Sequence, residues 1–433
     1  MSDRWLYTDR ASIDSTRHLT VTMNIEPGDG YTVEEAAGKI VQIVTLGSSR
    51  HFPFEDPETR RKAAGKILSV PDRTDSGRIE LAYPLDLGGV QEGLSYIMTL
   101  LSYPAEYNYT DSYLVEKVSL PTKLRKNLPG PNYGNDGLRA VLGVEGRPVL
   151  GLLTKPRLGV DLSVLCENCR EALIGGADFV VDDELIIDPA TSLQFENRIE
   201  EMVRVRDEAA AEAGEQKAYF ANISADVDAA IEYAVLAEEA GVDGVVMNAF
   251  AMGFPALRKL VESEAFDLPI ITTNVGVGIL TRFGDPRNPA GTTGISEQVI
   301  AKLSRYAGAD GVHIGIAEGE WYEVEASSRR AVPLDAQIGS IAPSTPVVAG
   351  GLSVENVWRN IKILGSDMIM EAGRGILGYP AGGPREGAEA LRVLLERLSS
   401  EMTQQEAEQI IAETADDLPH IKKAFDHYGA EMG

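Results

Sequence analysis

Between residues 147 and 375, short apolar runs recur along the chain: RPVLGLLTKP, ADFVVDDE, AYFANIS, DGVVMNAF, LPIITTNVG, DGVHIGIA, TPVVAGG and SDMIMEAGRG. Each is short enough for a buried strand. Most of the stretches between them, such as SLQFENRIEEMVRVRDEAAAEAG and DVDAAIEYAVLAEEAG, place apolar residues at helical spacing. Strands apolar on both faces, alternating with amphipathic helices, predict parallel βα units. Eight such units over about 240 residues predict a (β/α)₈ barrel. A doubly wound open sheet shares the local pattern but rarely needs eight units.

The first part of the chain is patterned differently. HLTVTMNIEP and RIELAYPLDL have the alternation of strands, while TVEEAAGKIVQIVTLG and VQEGLSYIMTLLSYP have helical spacing. This order predicts an α+β domain of ferredoxin-like type over residues 1–137. LPGPNYGNDG, residues 128–137, is rich in Pro, Gly and Asn and reads as the linker. The barrel then spans 138–400, and the polar, helical stretch 401–433 forms a tail that covers the surface or contacts another subunit.

Composition narrows the partners. A net charge of −26 opposes binding to nucleic acid or an anionic membrane, so an anionic substrate needs a local basic pocket. No stretch has membrane-spanning length, and the polar start MSDRWLYTDR does not read as a secretion signal; the expected location is the cytoplasm. Cys166 and Cys169 in LCENCREAL cannot complete a zinc site as a pair and read as packing residues in a reducing compartment.

In a barrel of this kind the chemistry sits where strands run into their following loops. Those positions are Lys155, then Asp182, Asp183 and Glu184, then Asn222, Asn248, Thr273 with Asn274, and His313. Strands seven and eight end in glycines, Gly350 and Gly351, then Gly373 and Gly375. The turn EAGRGILG has the G-x-G-x-x-G spacing of a dinucleotide site, but such a turn belongs to the first βα unit of an open sheet. After the last strand of a barrel the same glycines read as a phosphate grip, with Arg374 as a cation suited to bidentate contact, and no nucleotide cofactor is expected.

These motifs together resemble the large subunit of ribulose bisphosphate carboxylase (Rubisco). GRPVLGLLTKPRLGV is similar to the family's first-strand motif, whose lysine, here Lys155, handles protons on the substrate. GGADFVVDDE resembles its magnesium motif, GADGVHIG the entry to its mobile sixth loop, VVAGG and AGRGILGYPAGG its second phosphate site, and AYPLDL part of its small domain. The departures are as telling. Val181 stands where the family has a lysine that becomes carbamylated to serve as metal ligand and base. Glu318 and Glu320 lie where the sixth loop carries a lysine, and Ile43 where a partner glutamate is expected. Thr273 and Asn274, then Val277, replace groups of the first phosphate site.

The resemblance is therefore to a Rubisco-like protein of form IV, with catalytic roles implied for Lys155, Asn222 and His313. It implies substrate phosphate binding by Gly350, Gly351, Gly373, Arg374 and Gly375. Magnesium would be held through Asp183 and Glu184 alone, with reduced affinity. The expected reaction is not carboxylation but decarboxylation of a phosphorylated 3-oxo sugar acid, since losing CO₂ needs no carbamate base. An enolase or isomerase acting on a phosphorylated ketose is the alternative, and a non-catalytic metabolite-binding barrel the other. The family architecture implies a homodimer with shared active sites, with Ser48 and Ser49 near the contact.

Overall fold

The computed structural model describes residues 4–72, 75–85, 93–281, 292–315, 331–336 and 338–431. By packing the chain divides into two units, Met1–Pro129 with Gly276–Tyr306, and Gly130–Val275 with Ala307–Gly433.

The first unit is built on strands β1 (His18–Pro27), β2 (Lys66–Ser69), β3 (Gly77–Pro84) and β4 (Thr110–Ser119). They lie in the order β4-β1-β3-β2, and β1 pairs antiparallel with both β3 and β4. Helices Val33–Leu46 and Gly93–Ser102 occupy the connections after β1 and β3. This is the ferredoxin-like arrangement read from the sequence. A short fifth strand, β10 (Gly294–Ile295), pairs parallel to the free edge of β4 and so adds a segment from far along the chain. Helix Val33–Leu46 starts at a reciprocal cap, in which Thr32 accepts from the Glu35 amide and the Glu35 carboxylate accepts from the Thr32 amide. It stops at Gly47, whose φ of +69° suits a residue without a side chain.

The second unit is a closed barrel of eight parallel strands, as the periodicity predicts. They are β5 (Val149–Leu153), β6 (Phe179–Val181), β7 (Ala218–Asn222), β8 (Gly244–Asn248), β9 (Ile270–Thr273), β11 (Gly311–His313), β12 (Thr345–Ala349) and β13 (Ile369–Glu371). Alternation along each strand sends Val149, Phe179, Val181, Ala218, Phe220, Val246, Ile271, Val347 and Ile369 into one apolar core. Leu138 and Leu142 join that core from helix Gly134–Leu142, so the second half of the segment read as linker is a helix packed against the barrel interior. Asp310 holds this end together. Its Oδ1 accepts from the amides of Tyr133 at 2.7 Å and Gly134 at 2.9 Å, and its Oδ2 accepts from Ile270 at 2.9 Å.

After the barrel, helix Pro384–Arg397 packs on helix Leu162–Ile174, and helices Gln404–Asp417 and Pro419–Glu431 follow. Cys166 and Cys169 are both free thiols on Leu162–Ile174; burial pushes Cys166 up to about 11 and Cys169 well above its usual range. Such thiols are inert packing groups. Among the described residues no helix is long and apolar enough to cross a membrane.

Candidate active site at the barrel mouth

The inward parity that fills the core with apolar side chains continues to the upper rim, where the residues become polar. Two positions beyond Val181 stands Asp183, beyond Phe220 Asn222, beyond Val246 Asn248, beyond Ile271 Thr273, and beyond Ile369 Glu371. His313 ends β11 on the same face as Gly311. Lys155 follows β5. Of the strand-end residues read from the sequence, Lys155, Asp183, Asn222, Asn248, Thr273 and His313 thus converge on one rim, and Glu371 joins them.

Asp183 is the electrostatic centre. Its side chain is fully buried, and it is clasped by the Lys155 ammonium and by Arg157, whose Nε lies 2.9 Å from Oδ1 and 3.1 Å from Oδ2. The Leu185 amide donates to Oδ1 at 3.1 Å, and the Asp183 amide donates to Thr154 Oγ1 at 3.0 Å. Burial pushes the carboxyl up, but Lys155, the Leu185 amide and Arg157 together hold it below the usual carboxylate range. Arg157 was not singled out from the sequence; its place two residues beyond Lys155 in TKPRLG is the signal that finds it.

Asp182, the neighbouring acid, points the other way. It is fully buried behind the strand, where Arg198 Nε donates to its Oδ2 at 3.0 Å, with further donors in Tyr219 Oη at 3.0 Å and the Asn222 amide at 3.1 Å. The Asp-Asp-Glu run therefore divides its labour: one acid in the mouth, one in the scaffold.

Asn222 is engaged as scaffold. Its Nδ2 donates to the Asp183 carbonyl at 3.1 Å, while its Oδ1 accepts from the Ser224 amide at 3.0 Å and the Ser224 hydroxyl at 2.7 Å. The Asn248 amide in turn donates to Ser224 Oγ at 2.9 Å. Asn248 Oδ1 caps the helix that follows, and its Nδ2 donates to the Val275 carbonyl. The chain Asp183–Asn222–Ser224–Asn248 ties the tops of β6, β7 and β8 together.

His313 and Glu371 face each other across the rim at 3.1 Å, an ion-pair distance. Burial pushes the imidazole down, but the Glu371 and Glu184 carboxylates outweigh it and raise His313 above its ordinary range. Burial raises Glu184, with His313 opposing. Glu371 was missed in the sequence because it opens the glycine turn; its parity with Ile369 identifies it.

At the phosphate grip, Gly350 and Gly351 have φ of +107° and +89°, a backbone that other residues rarely adopt. Gly375 is glycine for a different reason, since a Cβ there would lie 2.2 Å from the Leu352 carbonyl oxygen. That close approach seats the turn after β13 against the loop after β12. Gly373 and Arg374 enter the same turn. Glu318 and Glu320 lie outside the described residues.

The magnesium implied by the resemblance does not fit these residues. Val181 is packed in the apolar core and offers no donor, and both oxygens of Asp183 already face cations. A divalent ion there would meet two positive side chains. Among the described residues no three His, Cys, Asp or Glu side chains are placed to hold a metal ion.

Residues 135–428 match the model of the ribulose bisphosphate carboxylase large chain, catalytic domain, and residues 6–102 match that of its N-terminal domain. The chain belongs to this family. It is 30% identical to the ribulose bisphosphate carboxylase of Pyrococcus furiosus over 442 residues, covering 99% of both chains. The octameric Rubisco of Pyrococcus horikoshii superposes with a TM-score of 0.86 at 27% identity, covering 98% of this chain and 97% of that one. A rubisco-like protein (MtnW) from Alicyclobacillus acidocaldarius gives 0.79 at 25%, covering 95% and 99%. These likenesses correct the functional expectation drawn from the sequence. The reading of a non-carboxylase, whether decarboxylase, enolase or isomerase, or mere binding barrel, is overturned by relatives that bear the carboxylase name over the whole length of the chain. Its weakness was physical: Val181, the sixth-loop acids and the altered first phosphate site remove groups but specify no replacement reaction.

Proposed function

We propose that this chain is an enzyme of the carboxylase-type lyase class, acting on a phosphorylated sugar in the barrel mouth. The observation that carries the reading is the ring of inward polar side chains, Lys155, Asp183, His313 and Glu371, drawn from separate strands and lying beside a glycine-rich turn. Gly350, Gly351, Gly373, Arg374 and Gly375 hold the phosphate, with Arg374 supplying the charge. Lys155 is the proton-moving group at the reacting carbon, and its ion pair with Asp183 aims it into the mouth. His313 is a donor to oxygen atoms of the substrate that gain charge. Asn222 keeps Asp183 in place through its carbonyl. Val181 offers no carbamate, so Lys155 moves the proton. Assembly as an oligomer of identical subunits, a homodimer at the least, goes with the octameric structure of the Pyrococcus horikoshii relative.

The test supplies labelled bicarbonate with ribulose bisphosphate, then with shorter sugar phosphates, and measures acid-stable label. Enzyme-dependent label that is lost in Lys155→Ala supports the reading. A folded protein that incorporates no label from any of these overturns it.

A further inference from the structure

In a chain of net charge −26, arginines such as Arg147 and Arg392 sit against carboxylates, here Asp178. The first unit contains a group of cations that does not. Lys117 lies near the end of β4, Arg125 ends the short helix Thr122–Arg125, and Lys302 and Arg305 lie on helix Glu297–Ala307. Lys302 joins these elements: its Nζ donates to the Val118 carbonyl at 2.8 Å and stands 6.0 Å from the centre of the Tyr306 ring. Burial, then the charges of Arg125, Arg305 and Lys117, push its ammonium below the ordinary range, so the four cations act at one place. Among the described residues no carboxylate pairs with Lys117, Arg125 or Lys302. Glu116, the acid beside Lys117, is spent on Asn24 and Arg78. Arg125 Nη2 donates to Thr122 Oγ1 at 2.9 Å, its Nε is buried without a partner, and its Nη1 is unbonded and reaches the surface. Lys117 is exposed, while Arg305 is fully buried and held within the fold.

We propose that Lys117, Arg125 and Lys302 form a binding site for a small polyvalent oxyanion of the phosphate or phosphoryl class. Like charges crowded together destabilise one another, and an anion seated among them relieves the repulsion. No described carboxylate provides that anion, so a ligand from solution does. Arg125 Nη1 and the Lys117 ammonium are the open donors that reach it. Lys302, fixed on Val118 with two ammonium hydrogens left over, adds charge, and buried Arg305 deepens the field. A tetrahedral dianion suits several separate donors better than a planar monovalent carboxylate does, and a guanidinium matches its oxygens. None of these residues belongs to the strand ends of the barrel, so the site is independent of the reaction proposed above.

Titration calorimetry of the full-length protein in chloride-poor buffer tests the site with inorganic phosphate, glycerol 3-phosphate and acetate. An Arg374→Ala background removes the charge of the barrel turn, so the binding that remains reports the first unit. In that background phosphate should bind, and Arg125→Gln, which keeps length and polarity, should weaken it about tenfold, as for a lost charge-assisted contact. Lys117→Gln should weaken it by a few fold, acetate should bind far more weakly than phosphate, and added salt should weaken all binding. Circular dichroism checks that each variant folds. Phosphate preferred over glycerol 3-phosphate marks the free ion as the ligand, and the reverse preference marks the phosphoryl end of a metabolite; either supports the site. Equal phosphate affinity with and without Arg125→Gln overturns it, and loss confined to Arg374→Ala leaves the barrel turn as the phosphate site. An Arg125→Gln variant that changes oligomeric state in sedimentation, but not phosphate affinity, marks a contact between chains and overturns the proposal as well. Silence from wild type overturns it together with the phosphate grip.

Discussion

Arg198 lies behind the mouth, fully buried, and its removal tests whether the scaffold under Asp183 is as tightly coupled as its hydrogen bonds imply. The guanidinium donates to Asp182 Oδ2 at 3.0 Å, to the Ile187 carbonyl at 2.7 Å and to the Leu193 carbonyl. Arg198→Met fills similar volume but strands a buried carboxylate with only Tyr219 and the Asn222 amide as donors, and it orphans two carbonyls. Breaking one side of a buried ion pair costs about 3–5 kcal/mol. With a urea slope of at least ~3 kcal/mol/M for a unit of this size, the barrel's midpoint should fall by up to about 1.7 M. The assay is equilibrium urea unfolding followed by circular dichroism.

Acid should narrow the gap. Burial already raises Asp182, with Arg198 opposing it. Without Arg198 its folded pKa climbs further above the unfolded value, so its contribution to stability is present at low pH and lost as pH rises through that higher folded pKa. The variant should therefore be most destabilised, relative to wild type, near neutrality. Asp182→Asn combined with Arg198→Met should cost less than the two single changes added, by about 2 kcal/mol, since each single change leaves the other group unpaired. Additive losses, or a single-variant loss below about 1 kcal/mol, would refute the coupling.

Five further outcomes are expected. Lys155→Ala should abolish turnover in the labelling assay while inorganic phosphate still binds, as read by calorimetry. Arg374→Ala should weaken phosphate binding by about tenfold, as expected for a lost charge-assisted contact, and Gly375→Ala should remove it by driving the turn off Leu352. Magnesium should leave the thermal melting curve where a chelator leaves it, because Asp183 is already paired with two cations. Burial raises the Asp310 carboxyl to about 6 against the three backbone donors that oppose it; stability from this group is full below the unfolded pKa near 4 and is lost as pH rises through 6. Asp310→Asn, which cannot titrate, should flatten the pH 4–6 slope in urea midpoints.

The eight barrel strands were legible because each is a short run that must be apolar on both faces, and the segments between must carry a helical stripe. The ferredoxin-like sheet was legible from its period-two runs, yet β10 was not, for two residues contributed from far along the chain carry no pattern of their own. The rim was legible from strand ends. Its division of roles was less so, because adjacent residues on a strand face opposite ways: Asp182 and Asp183 read alike as letters, but one binds Arg198 and the other Lys155 and Arg157. Asn222 read as a catalytic amide and proves to be consumed by Asp183 and Ser224. Helix Gly134–Leu142 was hidden under glycine and asparagine that marked a loop.

The sequence by itself determined the barrel, the sheet domain and the family, because these follow from periodicities and motifs spread over hundreds of residues. Only the tertiary structure decided which polar groups share the mouth. Lys155, Asp183, His313 and Glu371 are separated by 28, 130 and 58 positions, and their charges act on one another only once the sheet closes and brings the ends of separate strands within a few ångströms. Coulomb and hydrogen-bond terms fall off over such distances, so the site is a property of the closed barrel, not of any one segment.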